Sequence, residues 1–343
     1  MTLMEPKGLA VSNQEDRFLL KDALDFFSGK KSGHMGTHAY SEPAFRDDPA
    51  GGAVYWRDFI KSVRDYYLLS EEADLIARFS RAANDAFLDA NGQAITNSYF
   101  VDLGPGESEA VWQKTLPIMQ ASTRPRGYLA IDTNLAFAEA AANLVDEETS
   151  VKSAEAQSRD FLRDMLQVNF PNPVIYLLFG GYLCNLASNG QSSAAKLRGN
   201  FDSLRHNMRP TDYLVVTQDT NNDEASIMRA YDHEVVGKFM LSVLHRIKRD
   251  LPTHDFNPED FSARIYWDKE NMTLKVSAIA DKSMSFTIGG HPFSVIKGTE
   301  LCISNSYKFP LTTFIDAARD AGFESRTLFN PNGLIALHVL QAV

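Results

Sequence analysis

Cysteine is nearly absent from this chain: 343 residues hold two, Cys184 and Cys302. Neither has a Cys/His set nearby, which excludes a disulfide framework and a zinc knuckle and suits a reducing compartment. Positive charge is also in deficit, with 34 Lys and Arg against 44 Asp and Glu and a formal net charge of −10. A nucleic-acid or anionic-membrane surface is therefore not the expected partner. No apolar run approaches the roughly 20 residues that span a bilayer, and the N-terminus lacks a signal-peptide core, so a cytoplasmic, metal-independent protein is expected. Internal repeats and low-complexity segments are missing too. What is present is an ordinary globular composition, 44% hydrophobic and 23% charged, at a length that suits one elaborated domain or two intimate ones.

The most informative stretch runs from Ser98 to Asn143. A short apolar strand, Ser98-Tyr99-Phe100-Val101-Asp102-Leu103, leads into Gly104-Pro105-Gly106, a helical run from Glu107 to Met119, and a second strand, Tyr128-Leu129-Ala130-Ile131-Asp132. This is a βαβ unit of the nucleotide-binding kind. Glycines let the backbone pass close to a ligand, and a carboxylate at the tip of the second strand can accept both ribose hydroxyls. Here too something is lacking. The turn has two glycines rather than three, and Glu107 beside it would repel a pyrophosphate. A nucleoside without phosphates fits better, S-adenosylmethionine being the common one; an ordinary strand-to-helix turn can carry the same residues.

Elsewhere the pattern extends the same architecture. An amphipathic helix is expected over Glu15 to Phe27, and a soft Gly-, Ser-, His- and Pro-rich segment over 28–52. His34 and His38 stand four apart in that segment, but the glycines around them argue for a surface loop, or a loop over a site, against a metal pair. Ser70-Glu71-Glu72-Ala73 reads as a helix start, with Asp74 to Phe87 continuing it. Pro173 to Gly181 reads as a fully buried strand ending in glycines, Ser193 to Met208 as a helix, and Asp212 to Thr217 as a strand finishing at Gln218-Asp219. Gly104, Asp132, Gly180 to Asn185 and Asp219 all fall at carboxyl ends of strands, where such sheets hold ligands. Glu224 to Leu251 is helical with a break near Gly237. Asp260 to Gly298 alternates as antiparallel strands, and the chain closes as helix, strand, tight turn and strand.

With these residues placed, the chain resembles the histidine-specific N-methyltransferases of ergothioneine biosynthesis, a family that also holds fungal dimethylallyltryptophan N-methyltransferases. The similarity runs from about Gly51 to the C-terminus. The family's Glu-Leu-Gly-Ser-Gly is Asp102-Leu103-Gly104-Pro105-Gly106 here. Its Phe-Leu-Gly-Ser-Thr-Ile-Gly-Asn resembles Leu178-Phe179-Gly180-Gly181-Tyr182-Leu183-Cys184-Asn185. Its Thr-Asp, Ala-Tyr-Asp and Glu-Tyr-Tyr resemble Gln218-Asp219, Ala230-Tyr231-Asp232 and Asp65-Tyr66-Tyr67.

The resemblance implies an α/β fold of the class I methyltransferase kind, a Rossmann-like, mostly parallel seven-stranded sheet. It implies an S-adenosylmethionine-binding domain from 94–224 plus 310–343, and a second α+β substrate or lid domain from 1–93 plus 225–309. The methyl donor S-adenosylmethionine would be held by Gly104, Gly106, Asp132, Asp160, Phe161 and Gly180, with no metal. Asn185 and Tyr231 would grip the amino acid's backbone groups, with Tyr66 or Tyr67 as a third contact; Tyr182 would be a further substrate contact, and the ring faces of Tyr66, Tyr182 or Tyr231 can hold a sulfonium by cation–π attraction. The partner would be a small-molecule amino-acid substrate of secondary metabolism, on a monomer or homodimer.

Departures from the family sit in the substrate half. The segment Thr-Glu-Xaa-Ser-Xaa-Lys, which recognises the imidazole, is Ile303-Ser304-Asn305-Ser306-Tyr307-Lys308 here: Ser306 and Lys308 persist, but Ser304 replaces the glutamate. A methionine of the family's insert is Val276 here. A charge-assisted bond from such a carboxylate is worth about 1.5–3 kcal/mol. The expected activity is therefore N-methylation of an amino acid or amino-acid-like amine other than histidine. Two alternatives remain: closure of the cofactor's own amine onto its γ-carbon, giving azetidine-2-carboxylate and methylthioadenosine, and a cofactor-binding regulatory protein without turnover.

Overall fold

A computed structural model describes residues 14–81, 86–88, 92–122, 124–171 and 173–343. The chain divides into two compact units. One, the sheet unit, takes Asp65–Cys184, Gln191–Ser226 and Lys308–Val343; the other takes Met1–Arg64, Asn185–Gly190 and Ile227–Tyr307.

The sheet unit is built on seven strands: β1 (Tyr99–Leu103), β2 (Gly127–Asp132), β3 (Ser153–Ser158), β4 (Val174–Leu178), β5 (Tyr213–Asp219), β6 (Phe323–Phe329) and β7 (Ile335–Ala342). Their order across the sheet is β6-β7-β5-β4-β1-β2-β3. β1 to β5 pair in parallel, and β7 inserts antiparallel between β5 and β6. Every residue of β2, β4 and β5 is buried, as continuous apolar runs covered on both faces must be. The parallel βαβ core and the closing helix, strand, tight turn and antiparallel strand agree with expectation. β3 was not foreseen. Ser-Ala-Glu-Ala-Gln-Ser has no apolar run and only two alanines to alternate with its polar residues, and it is ordered by pairing from Gly127–Ser153 to Asp132–Ser158 at the sheet edge.

Residues 65–93 were expected with the second domain, yet 65 onward belongs to the sheet unit. The Tyr67–Ser80 helix packs on β7 and on the helical run that follows the glycine turn, and Leu68, Leu75, Ile76 and Phe79 form its buried stripe. The helix begins three residues before Ser70, and part of its expected continuation, 82–85, lies outside the described residues, as do residues 1–13 with their signal-peptide reading. The helical run after the turn is Ser108–Ala110, a π turn at Val111–Thr115 and Leu116–Ala121.

The second unit holds the helices Gln14–Phe27, Gly52–Ser62 and Glu234–Asp250 around two three-stranded antiparallel sheets. One sheet orders Glu300–Tyr307, Thr273–Ala280 and Phe261–Asp268. Phe26, Phe27, Val243, Leu244, Ile247, Phe261, Ala278 and Phe286 belong to its core. The helical stretch from Glu224 breaks at Asp232-His233, not near Gly237: His233 is extended (φ −129°, ψ 144°) and starts the Glu234–Asp250 helix. Gly237 stays inside that helix because Ala263 packs where its side chain would be, 2.9 Å from an added Cβ.

The 28–52 segment is no open loop in its first half. His38 Nε2 lies 2.9 Å from Asp22 Oδ2, His34 Nε2 lies 3.0 Å from the Asp22 carbonyl, and Met35 is fully buried. Burial pushes His34 down to about 4, so it is neutral at physiological pH. Among the described residues no helix is long and apolar enough to cross a membrane. Nor does any group of three or more His, Cys, Asp and Glu there offer itself to a metal ion.

Candidate active site

In the sheet unit the carboxyl ends of β1, β2 and β4 form one row. Gly104 donates its N–H to Ile131 O at 2.7 Å, which closes the turn onto β2. Gly104, Gly106 and Gly180 have φ of +69°, +68° and +81°, the left-handed region that excludes most side chains. A Cβ added to Gly106 or Gly180 would stand in open space. A Cβ on Gly104 would lie 3.5 Å from Phe161, and the Phe161 ring lies 5.0 Å from that of Tyr182. Gly104 and Phe161, expected to hold the cofactor, and Tyr182, expected to contact the substrate, thus follow one another along one wall.

Asp132 ends β2 almost fully buried, its Oδ1 accepting from Asn134 N at 2.9 Å. Burial pushes its carboxyl up to about 6, against the backbone N–H groups of Asn134, Gly106 and Thr133 that hold it down. Asp160 is less available: its carboxylate accepts from Leu162 N at 3.1 Å and pairs with Arg163 Nε at 3.2 Å, ordering its own turn. Side-chain-free backbone at two strand ends, a carboxylate at a third and an aromatic beside them fit a nucleoside with free ribose hydroxyls.

Three buried carboxylates organise the sheet unit around this row; the sequence offers Asp102 only as a motif acid, Asp219 only as a strand-end acid and Glu72 only as part of a helix start. Asp102, raised to about 6 by burial, accepts from Thr115 Oγ1 at 2.6 Å and Tyr128 OH at 3.1 Å. Glu72, with 0% exposure, accepts from Lys114 Nζ at 2.7 Å, from Gly180 N at 2.7 Å and from the Thr217 hydroxyl. It had a signal: positions 68, 72, 75, 76 and 79 make the buried stripe of its helix, and only 72 is charged. Asp219, at the end of β5, accepts from Tyr67 OH at 2.8 Å and Lys308 Nζ at 2.6 Å. The Tyr67 hydroxyl expected to face a substrate therefore serves Asp219. Tyr66 precedes it as the buried N-cap of the same helix.

In the second unit the remaining candidates converge on one sheet face. Val276 stands directly opposite Ser304, and Leu274 opposite Ser306; Ile265 and Trp267 continue the same rows on the third strand. Residues directly opposite in an antiparallel pair point to the same face. A bulge between Cys302 and Ser304 leaves Ile303 unpaired and buried, and this shift is what sets Ser304 beside Val276. Asn185 bridges to Ser306. Tyr231 packs against the cluster of Ile227, Trp267 and Leu274, with its ring 6.3 Å from that of Phe59. Gly36 approaches the same face, since a Cβ there would lie 3.1 Å from Ser304 Oγ. Asn185, Tyr231, Val276, Ser304 and Ser306, drawn from four separated stretches, are neighbours.

The family model for histidine-specific, S-adenosylmethionine-dependent methyltransferases matches residues 45–342. The chain belongs to that family. The methyltransferase is 25% identical over 268 residues to an uncharacterised protein of Sinorhizobium fredii, covering 71% of this chain and 80% of that one. It is also 25% identical over 287 residues to a histidine N-alpha-methyltransferase of Mycobacterium tuberculosis, covering 81% and 82% respectively. A solved S-adenosylmethionine-dependent methyltransferase of Clostridium acetobutylicum aligns with 9% identity over 84% of this chain and 97% of its own, with a TM-score of 0.44. The cofactor of this methyltransferase is S-adenosylmethionine. Neither cyclisation of that cofactor nor a role without turnover gains support from these relatives.

Proposed function

We propose that this methyltransferase transfers a methyl group to the amine of an amino acid, or of an amino-acid-like molecule, other than histidine. The observation that carries the reading is the Val276–Ser304 pair, an apolar side chain and a hydroxyl directly opposite each other. At that place the family's resemblance implies a methionine and the carboxylate that binds an imidazole N–H. Ile265, Trp267 and Leu274 lie on the same face, so an aromatic or apolar side chain suits it better than a polar ring.

In this reading Gly104, Gly106, Gly180, Asp132 and Phe161 hold the methyl donor, and Asn185, Ser306 and Tyr231 hold the acceptor's backbone groups. When bound, S-adenosylmethionine supplies an already activated methyl carbon. The chain's residues then have to align the amine, exclude water and keep the nitrogen neutral. Orientation of this kind is worth about 7–11 kcal/mol. Apolar walls such as Trp267 and Leu274 disfavour an ammonium and so favour the nucleophilic form. The test is a screen of free amino acids with S-adenosylmethionine, read as S-adenosylhomocysteine formed. Turnover with an aromatic or apolar amino acid above that with histidine supports the reading; histidine as the best acceptor overturns it.

A further inference from the structure

Asp219 does more than end a strand. Its Oδ2 accepts from Tyr67 OH at 2.8 Å and from Lys308 Nζ at 2.6 Å, while Oδ1 accepts from Asn221 N at 3.0 Å. Asp219 is 2% exposed and Lys308 3%, so this is a buried ion pair with its remaining lone pairs satisfied. Asn221 passes the connection on, donating from Nδ2 to Ser226 Oγ at 3.0 Å. Lys308 and Asp219 are also the charges close enough to act on the buried thiol of Cys184.

These residues share a position in the chain. The backbone passes from one unit to the other at 64/65, 184/185, 190/191, 226/227 and 307/308. Tyr67 is the third residue after the first passage, Cys184 the last before the second, Ser226 the last before the fourth and Lys308 the first after the fifth. Four of five passages are tied to or gathered around one carboxylate. Near them in sequence stand the acceptor contacts proposed above, Asn185, Tyr231 and Ser306, and the buried N-cap Tyr66.

We propose that Asp219 is a positioning residue that fixes, within the sheet unit, the four chain passages near which the acceptor contacts stand. The proposal rests on the acceptor reading for what those passages do, but not for the anchoring itself. A carboxylate suits the task because it accepts several bonds at once and is held by a counter-charge that cannot leave without exposing it. Gln218, its neighbour, adds rigidity: Nε2 donates to Phe309 O at 2.8 Å, and Oε1 lies 3.1 Å from His338 Nε2.

The experiment is amide hydrogen exchange on the whole chain with S-adenosylhomocysteine bound, comparing wild type with Asp219→Asn/Lys308→Met. The double variant removes both charges, so neither is left buried alone. Exchange is expected to rise by about tenfold in peptides covering 65–70, 182–188, 222–231 and 304–309 together, with β1, β2 and β4 unchanged. S-adenosylhomocysteine affinity should stay within about twofold, and KM for the amino acid selected by the screen should rise by about tenfold. Faster exchange only around 219 and 308, or a uniform rise across the sheet, makes Asp219 a local or general stabiliser and overturns the proposal. Exchange needs no acceptor: a chain that shows the four-segment response but methylates no amine loses the acceptor reading and keeps the anchor.

Discussion

At the scale of single residues, burial has altered the chemistry of the side chains that bear on function. Asp132 has its carboxyl raised to about 6, and only its ionised form accepts two ribose hydroxyls. Binding therefore favours deprotonation. S-adenosylhomocysteine affinity is expected to fall as pH drops below about 6, toward tenfold per pH unit, and to be flat above it. Calorimetry across pH 5 to 8 checks this, and Asp132→Asn should lose about tenfold at pH 8 while removing the pH dependence. Flat affinity in the wild type would place the ribose elsewhere. Ser304 carries the second prediction at this scale. Ser304→Glu returns a carboxylate beside Val276, and turnover of histidine should rise by about tenfold or more, measured as S-adenosylhomocysteine released. No gain would mean that this face does not read the acceptor's side chain. Both positions were legible in the sequence, Asp132 from its place after Ile131 and Ser304 from the missing glutamate. Asp219 was legible only as a strand-end acid; its partners, 152 and 89 positions away in sequence, leave no local trace.

Among the elements, the Tyr67–Ser80 helix shows what periodicity can and cannot reveal. Its apolar stripe predicts a buried face, and the charged position on that stripe is the clue to Glu72. What the stripe meets is not written in it. Lys114 lies on a π turn 42 positions on and Gly180 lies 108 on, so the stripe by itself does not name its partners. Glu72→Ala leaves Lys114 buried without its counter-charge and Gly180 N–H without an acceptor. It should destabilise the fold by about 3–5 kcal/mol, with Lys114→Met recovering part of that loss in the double variant. Urea denaturation of the three proteins decides it, and a loss below about 1 kcal/mol would mean that water already reaches the pair. β3 fails in the opposite way. Its small polar residues hold no strand signal, and the edge of β2 supplies the order.

For the molecule as a whole, the seven-stranded sheet was readable because each central strand is an apolar run ended by glycine or acid. The division into units was less so, because the chain changes unit five times and two passages, 184/185 and 190/191, enclose a segment too short for any compositional signal. In the proposed function this chain methylates an amine other than that of histidine. The most direct test is to incubate the protein with S-adenosylmethionine, alone and with a panel of free amino acids, and to resolve nucleosides and amines by mass spectrometry. The account predicts S-adenosylhomocysteine only when an aromatic or apolar amino acid is present, with a methylated amine in equal amount. Methylthioadenosine formed from S-adenosylmethionine alone, or histidine as the preferred acceptor, would contradict it.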